Sequence, residues 1–286
     1  MIPYTSTTPA NLTDRDIDPV ADLNDRACWF RPAAGRALDY FFSAGPEDGF
    51  PVIYCHGAIG SPRWRTPELD RVIERLGIRY LVVNRPGFAG SDPSPGRTVL
   101  DFARDIGTVM SLLGYRRFSV VGVSAGAPYA LACGWALAER LVALAAVSPL
   151  GPPDGHGAIR GLRYRVPLVP FGSGPAGSLF GHVCLRALGL KGDTPTAAMI
   201  DDYLVCRRPW GFDPADVGVP VTLWHGGSDW LVPLAHARAL AAVIPQCTAR
   251  VAEGGHFFYS RRLAEIVGSL LPESPAPVRH QIVTAV

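Results

Sequence analysis

The sequence predicts an α/β fold: a doubly wound, mostly parallel sheet interrupted by an inserted, mainly helical cap. Three observations carry this. Short apolar runs alternate with segments of helical periodicity, the pattern of strand–helix–strand units around a parallel sheet. Most of the runs are apolar on both alternations, as strands are when helices cover both faces. One stretch, from Gly151 to about Asp216, breaks the rhythm. It opens with GPPDGHG, is rich in proline and glycine, and carries apolar and aromatic residues such as Tyr164, Phe171, Phe180, Tyr203 and Trp210. A structureless loop of that size is unusual in a compact domain, so an insertion with its own packing is expected.

In chain order, strands are expected at ALDYFF (37–42), PVIYCHG (51–57), RYLVVNRPG (79–87), RFSVVGVS (117–124), LVALAAVSP (141–149), PVTLWHG (220–226) and CTARVAE (247–253). The first two, joined by the glycine-containing SAGPEDGF, read as an antiparallel start. After Thr98, apolar residues at Val99, Phe102, Ile106, Val109, Met110 and Leu113 form a helical stripe, and Thr98 with Asp101 resembles a capping box. GAPYALACGWALA follows the fourth strand as a helix. Pro233 suits the first position of the helix through LAHARALAAVI. A last helix carries Leu263, Ile266, Val267, Leu270 and Leu271. The expected organisation is an N-terminal arm (1–34), a first core part (35–150), the cap (151–216), a second core part (217–272) and a C-terminal tail (273–286).

Composition excludes several classes. A net charge of +2 over 286 residues gives no reason to expect nucleic acid or an acidic membrane surface. The basic residues are almost all arginine and they are scattered. The six cysteines form no C-x-x-C pair and several sit in apolar runs, where cysteine acts as a small hydrophobe. The opening MIPYTSTTPANLTDRDIDPVADL lacks the basic and apolar regions of a signal peptide. The longest apolar region, around Ala127–Leu150, is broken by Glu139 and Arg140 and is no single membrane span. A cytoplasmic protein without a membrane anchor is expected, and a homodimer is compatible with the sequence.

Two glycine-rich motifs compete for attention. GSGPAG (172–177) fits a dinucleotide fingerprint, but the prolines of RVPLVPF spoil the strand that should deliver it, and Pro175 lies inside it. GVSAG (122–126) sits between an expected strand and an expected helix. A serine at such a turn is forced into a sharp bend with its hydroxyl above the sheet, and flanking glycines remove side chains that would collide. The turn also aims the Ala125 N–H at the space before the hydroxyl. Serine needs a base to take its proton. His256, after the last strand, is the candidate base; Asp229, after the preceding strand, is the candidate acid that orients it. Asp154 is the alternative acid. His56 and His225 read as structural, Asp92 as loop-stabilising, and His156 and His182 as solvated cap residues. No set of these histidines has metal-ligand spacing.

Serine, aspartate and histidine in this chain order, each at the end of a strand, resemble an α/β-hydrolase. HGAIGS (56–61) resembles that family's H-G-x oxyanion loop, and NRPGFAGSD (84–92) its D-x-x-G-x-G-x-S loop, with Asn84 and Ala89 as departures. GVSAG resembles the nucleophile elbow and GGSDWLVP (226–233) the G-x-x-D-x-x-V-P acid loop. The resemblance spans about Gly35 to Leu271. It implies a serine hydrolase of the carboxylesterase or lipase type. Ser124, Asp229 and His256 would be catalytic, the Ala58 and Ala125 N–H groups would bind the oxyanion, and no cofactor or metal would be needed. The substrate would be a small-to-medium apolar or aromatic ester. Carbon–carbon or amide hydrolysis, acyl transfer to another acceptor, and a ligand-binding receptor on the same fold are the alternatives.

Overall fold

The structure is a computed structural model and describes residues 28–30, 36–42, 45–46, 48–58, 66–152 and 196–272. Each apolar run expected to be a strand is one: β2 (Leu38–Phe42), β3 (Phe50–Cys55), β4 (Ile78–Val83), β5 (Phe118–Val123), β6 (Leu141–Val147), β7 (Val221–Gly226) and β8 (Cys247–Ala252). A short strand, β1 (Cys28–Phe30), precedes them within the stretch read as an arm. All lie in one eight-stranded sheet of order β1-β2-β4-β3-β5-β6-β7-β8.

The antiparallel start exists, but β2 and β3 are not its partners. β2 pairs antiparallel with β4, Tyr40 opposite Val83, and with β1. β3 inserts between β4 and β5 and runs parallel to both, with Ile53 beside Leu81 and Val120. The remaining pairings, through β8, are parallel. From β3 the chain moves outward to β4, then crosses back to β5 on the other side. The order reverses there, and such a switch point leaves a crevice at the carboxyl ends of the two strands.

The helices form because their apolar stripes match the two sheet faces. α1 (Pro67–Leu76), not among the helices expected from the sequence, starts at a proline behind Thr66, whose hydroxyl accepts the Leu69 N–H, and buries Leu69, Val72 and Ile73. α2 (Val99–Leu112) opens with the expected capping box, both Thr98–Asp101 bonds being present. α3 (Ala127–Ala136) is buried along most of its length. α4 (Thr196–Cys206) closes the stretch read as a cap. α5 (Ala235–Val243) begins two residues after Pro233, which stands outside it and accepts the His236 N–H at 3.0 Å. α6 (Leu263–Gly268) follows β8.

Consecutive strand residues divide between two cores. Ile53, Leu81 and Val120 pack with Phe102, Met110 and Leu131 on one face; Val52, Val82 and Val121 pack with Leu69, Ile73 and Ile266 on the other. This is why both alternations are apolar. β8 departs from the expectation: as an edge strand it leaves most of its residues exposed, Val251 at 59%. Cys55, Cys133 and Cys206 are buried free thiols. Among the described residues no helix is long and apolar enough to cross a membrane, and no group of three or more His, Cys, Asp or Glu could hold a metal. GSGPAG, Asp154, His156, His182 and the tail lie outside the described residues.

Candidate active site

The carboxyl ends of β3, β5, β7 and β8 point to one edge of the sheet, because these strands are parallel. β5 delivers Ser124 there. The residue opens a one-turn helix, Ser124–Gly126, that runs into α3. Its φ is +55°, a left-handed conformation that costs an L-residue roughly 1–2 kcal/mol. The bend fits only because its neighbours are glycines. A Cβ on Gly122 would lie 2.6 Å from the Gly126 carbonyl oxygen, and one on Gly126 would lie 2.1 Å from that of Cys55. The second contact presses the serine turn against the end of β3, beside the HGAIGS loop. The first N–H groups of a helix lack intrahelical partners, and Ala125 stands at such a position.

β7 and β8 deliver Asp229 and His256 to the same edge. Asp229 is tied down at one oxygen: Oδ1 accepts the Leu231 and Val232 N–H groups at 3.0 and 2.9 Å. Its other oxygen, Oδ2, is 2.8 Å from His256 Nδ1. The loops that carry them interlock. Ser228 N–H donates to Gly254 O at 2.9 Å, and a Cβ on Gly226 would strike the Gly255 carbonyl at 2.4 Å. Burial pushes the Asp229 carboxyl up, but the hydrogen bond from His256, that imidazole, the Val232 N–H and His225 outweigh it, so the group lies below its ordinary value. An ionised carboxylate only accepts, so His256 Nδ1–H is the donor in this bond. The Ser124 side chain is part-buried, and among the described residues the hydrogen-bond partner of the His256 ring is Asp229, not Ser124.

Two further histidines, His56 and His225, are held by backbone groups. His56 is buried and its Nδ1 faces Gly57 O at 2.9 Å, while Nε2 accepts the Arg85 N–H at 3.4 Å. Burial, with Arg85 nearby, lowers its pKa to about 3, so the ring is neutral. His225 Nε2 lies 2.9 Å from Val232 O and 3.5 Å from Asp229 Oδ2, and burial lowers its pKa. Asp92 Oδ2 accepts the Ala37 N–H at 2.7 Å, tying its loop to the start of β2. In the same loop Asn84 donates to Asp39 Oδ2 at 2.9 Å, and Ala89 takes a φ of +47°, the conformation a glycine would take freely.

Two groups near the site were not singled out from the sequence. Ser148, after β6, donates its hydroxyl to the His256 carbonyl at 3.4 Å. Arg85, inside NRPGFAGSD, reaches the carbonyls of His56 and Gly57. An arginine just after an apolar strand run was the available signal for the second; nothing local marked the first.

The segment 51–174 matches the sequence family described as alpha/beta hydrolase fold. A hydrolase from Pseudomonas aeruginosa PA01 superimposes with a TM-score of 0.67 at 16% identity, over 86% of this chain and 97% of its own. The esterase EaEST from Exiguobacterium antarcticum gives 0.66 at 18% identity, over 84% and 97%. A thermophilic esterase from Thermogutta terrifontis gives 0.63 at 21%, over 85% and 97%. Among curated proteins nothing matches.

Proposed function

We propose, on the premise that this chain has the α/β-hydrolase fold, that it is a serine hydrolase acting on a carboxylic ester of a small-to-medium apolar or aromatic molecule. One observation carries the reading: a non-glycine residue with a nucleophilic hydroxyl is held at φ +55°, on the sheet edge where His256 is hydrogen-bonded to Asp229. Such strain persists only where the surrounding structure enforces it, and it clusters at functional sites.

Ser124 Oγ attacks the ester carbonyl carbon while His256 Nε2 takes its proton. Asp229 holds the tautomer and stabilises the imidazolium. The carbonyl oxygen becomes an oxyanion between the Ala58 and Ala125 N–H groups; loss of one such donor typically costs roughly 10²–10³ in rate. The tetrahedral intermediate collapses, the alcohol leaves with the proton from His256, and water cleaves the acyl-enzyme by the same route. A serine–histidine bond of this kind is often long until substrate tightens it. Trp230 and Phe257, exposed at 66% and 44% and adjacent to the acid and the base, support an apolar or aromatic substrate.

A fluorophosphonate probe tests the reading. The wild-type chain takes up one adduct, and Ser124→Ala takes up none. Equal labelling of both, or no labelling of either, refutes it. A series of p-nitrophenyl esters, amides and 1,3-diketones then separates ester hydrolysis from amide and carbon–carbon cleavage.

A further inference from the structure

α4 bears a carboxylate where none is expected. Asp202 is fully buried and takes a bidentate bond from Arg85, Nε to Oδ1 at 2.9 Å and Nη2 to Oδ2 at 2.8 Å, with both side chains at 0% exposure. Tyr129 of α3 donates to Oδ1 at 2.7 Å, and Arg97 Nη2 to the same oxygen at 3.3 Å. Burial alone would raise the Asp202 carboxyl, but Arg85, Tyr129 and Arg97 hold it below the ordinary value. A buried ion pair is weak evidence of stability, since apolar residues of the same volume often serve as well. The remaining hydrogen bonds of Arg85 indicate what this one does.

Arg85 Nη1 donates to the His56 carbonyl and Nη2 to the Gly57 carbonyl, the latter at 3.3 Å. The neutral His56 ring also donates to Gly57 O, at 2.9 Å. The Gly57 carbonyl and the Ala58 N–H belong to one planar, trans peptide unit and point in opposite directions. Pinning that carbonyl therefore aims that N–H. α4 also touches the second donor's turn: Cys206 Sγ contacts the Ala125 carbonyl at 3.6 Å. Around these bonds Ala198 and Met199 of α4 pack on Phe88, whose ring meets His56 edge-on.

We infer that Arg85, anchored by Asp202 on α4, is a positioning residue that fixes the Gly57–Ala58 peptide plane and so aims the Ala58 N–H at the oxyanion. Arg85 thus joins α4, through the ion pair, to the His56–Gly57 backbone, through hydrogen bonds. The inference rests on the serine-hydrolase reading above.

The test compares wild type, Arg85→Met/Asp202→Leu and Asp202→Asn. The double variant removes both charges at similar volume, and Asp202→Asn keeps the shape and an acceptor for Tyr129, should the double variant fail to fold. Each is measured for kcat and KM on p-nitrophenyl butyrate, for affinity toward an aryl trifluoromethyl ketone whose hemiketal oxyanion occupies the donor site, and for melting temperature. The expected result is a kcat loss of about 10²-fold, as small misplacements at a reacting centre produce, with KM within threefold and ketone affinity falling in step with kcat. Either folded variant with kcat and ketone affinity within threefold of wild type overturns the inference. So does a loss confined to KM and melting temperature. Failure of the hydrolase reading is distinct: wild type itself then gives no Ser124-dependent fluorophosphonate adduct.

Discussion

At the scale of single residues, Ser124 is one of three described non-glycine residues held at positive φ, with Ala89 and Ser148. Its φ of +55° is one that glycine adopts freely and serine does not. Replacement should therefore separate strain from function. Ser124→Gly is expected to be more stable than Ser124→Ala by about 1 kcal/mol, because only the alanine keeps a Cβ in the left-handed region. Urea denaturation of the two variants measures the difference, and equal midpoints would mean the Ser124 turn is relaxed. The pattern GVSAG was readable as such a turn, because glycine is needed wherever a Cβ would strike a carbonyl, and here both glycines would. Arg85 was not readable in the same way. Its carboxylate partner lies 117 positions away on α4, and no local signal links the two.

At the scale of elements, strand identity was legible and pairing was not. β5 and β6 are apolar along nearly their whole length because each face is covered by a different helix layer. That the partner of β2 is β4, and not β3, follows from the crossover at the switch point, which leaves no mark on β2 itself. β1 was missed because three residues are too few to show a period. α1 was missed although Thr66 and Pro67 announce its start. α2, by contrast, was legible to its cap. Thr98 accepts the Asp101 N–H and Asp101 accepts the Thr98 N–H, the latter at 2.8 Å. Thr98→Ala is expected to cost about 1 kcal/mol, the usual worth of an N-cap, with p-nitrophenyl butyrate turnover unchanged per folded molecule. A loss below 0.3 kcal/mol would show that packing of Phe102 and Ile106 alone holds the helix.

For the whole molecule, the buried histidines set a pH dependence. His56 and His236 are neutral inside the fold, their pKa values lowered from 6.5 to about 3 and about 4, in each case chiefly by burial. Both titrate near 6.5 once the chain unfolds. Between about pH 6.5 and 4 the unfolded chain therefore binds protons that the native state refuses. Their stabilising effect is complete above pH 6.5 and is lost as pH falls toward the folded values. Each ring contributes up to about 1.4 kcal/mol per pH unit across that window. Stability measured in urea at pH 6.5, 5.5 and 4.5 should fall accordingly, and His56→Gln should remove one ring's share of the slope. An unchanged slope in that variant would mean that His56 already takes up its proton in the folded state.

By itself the sequence determined that a mostly parallel sheet would form, where its principal strands run, and that a serine, an aspartate and a histidine follow strand ends in hydrolase order. These are consequences of local chemistry, since periodicity, caps and tight turns are written in neighbouring residues. Only the tertiary structure decided that Asp229 Oδ2 and His256 Nδ1 meet at 2.8 Å, that β3 lies between β4 and β5, and that Asp202 is linked to the Gly57 carbonyl through Arg85. Those facts depend on which distant segments pack together. A buried polar group accepts whatever partner the fold brings to it, so its own neighbourhood in the chain cannot name that partner.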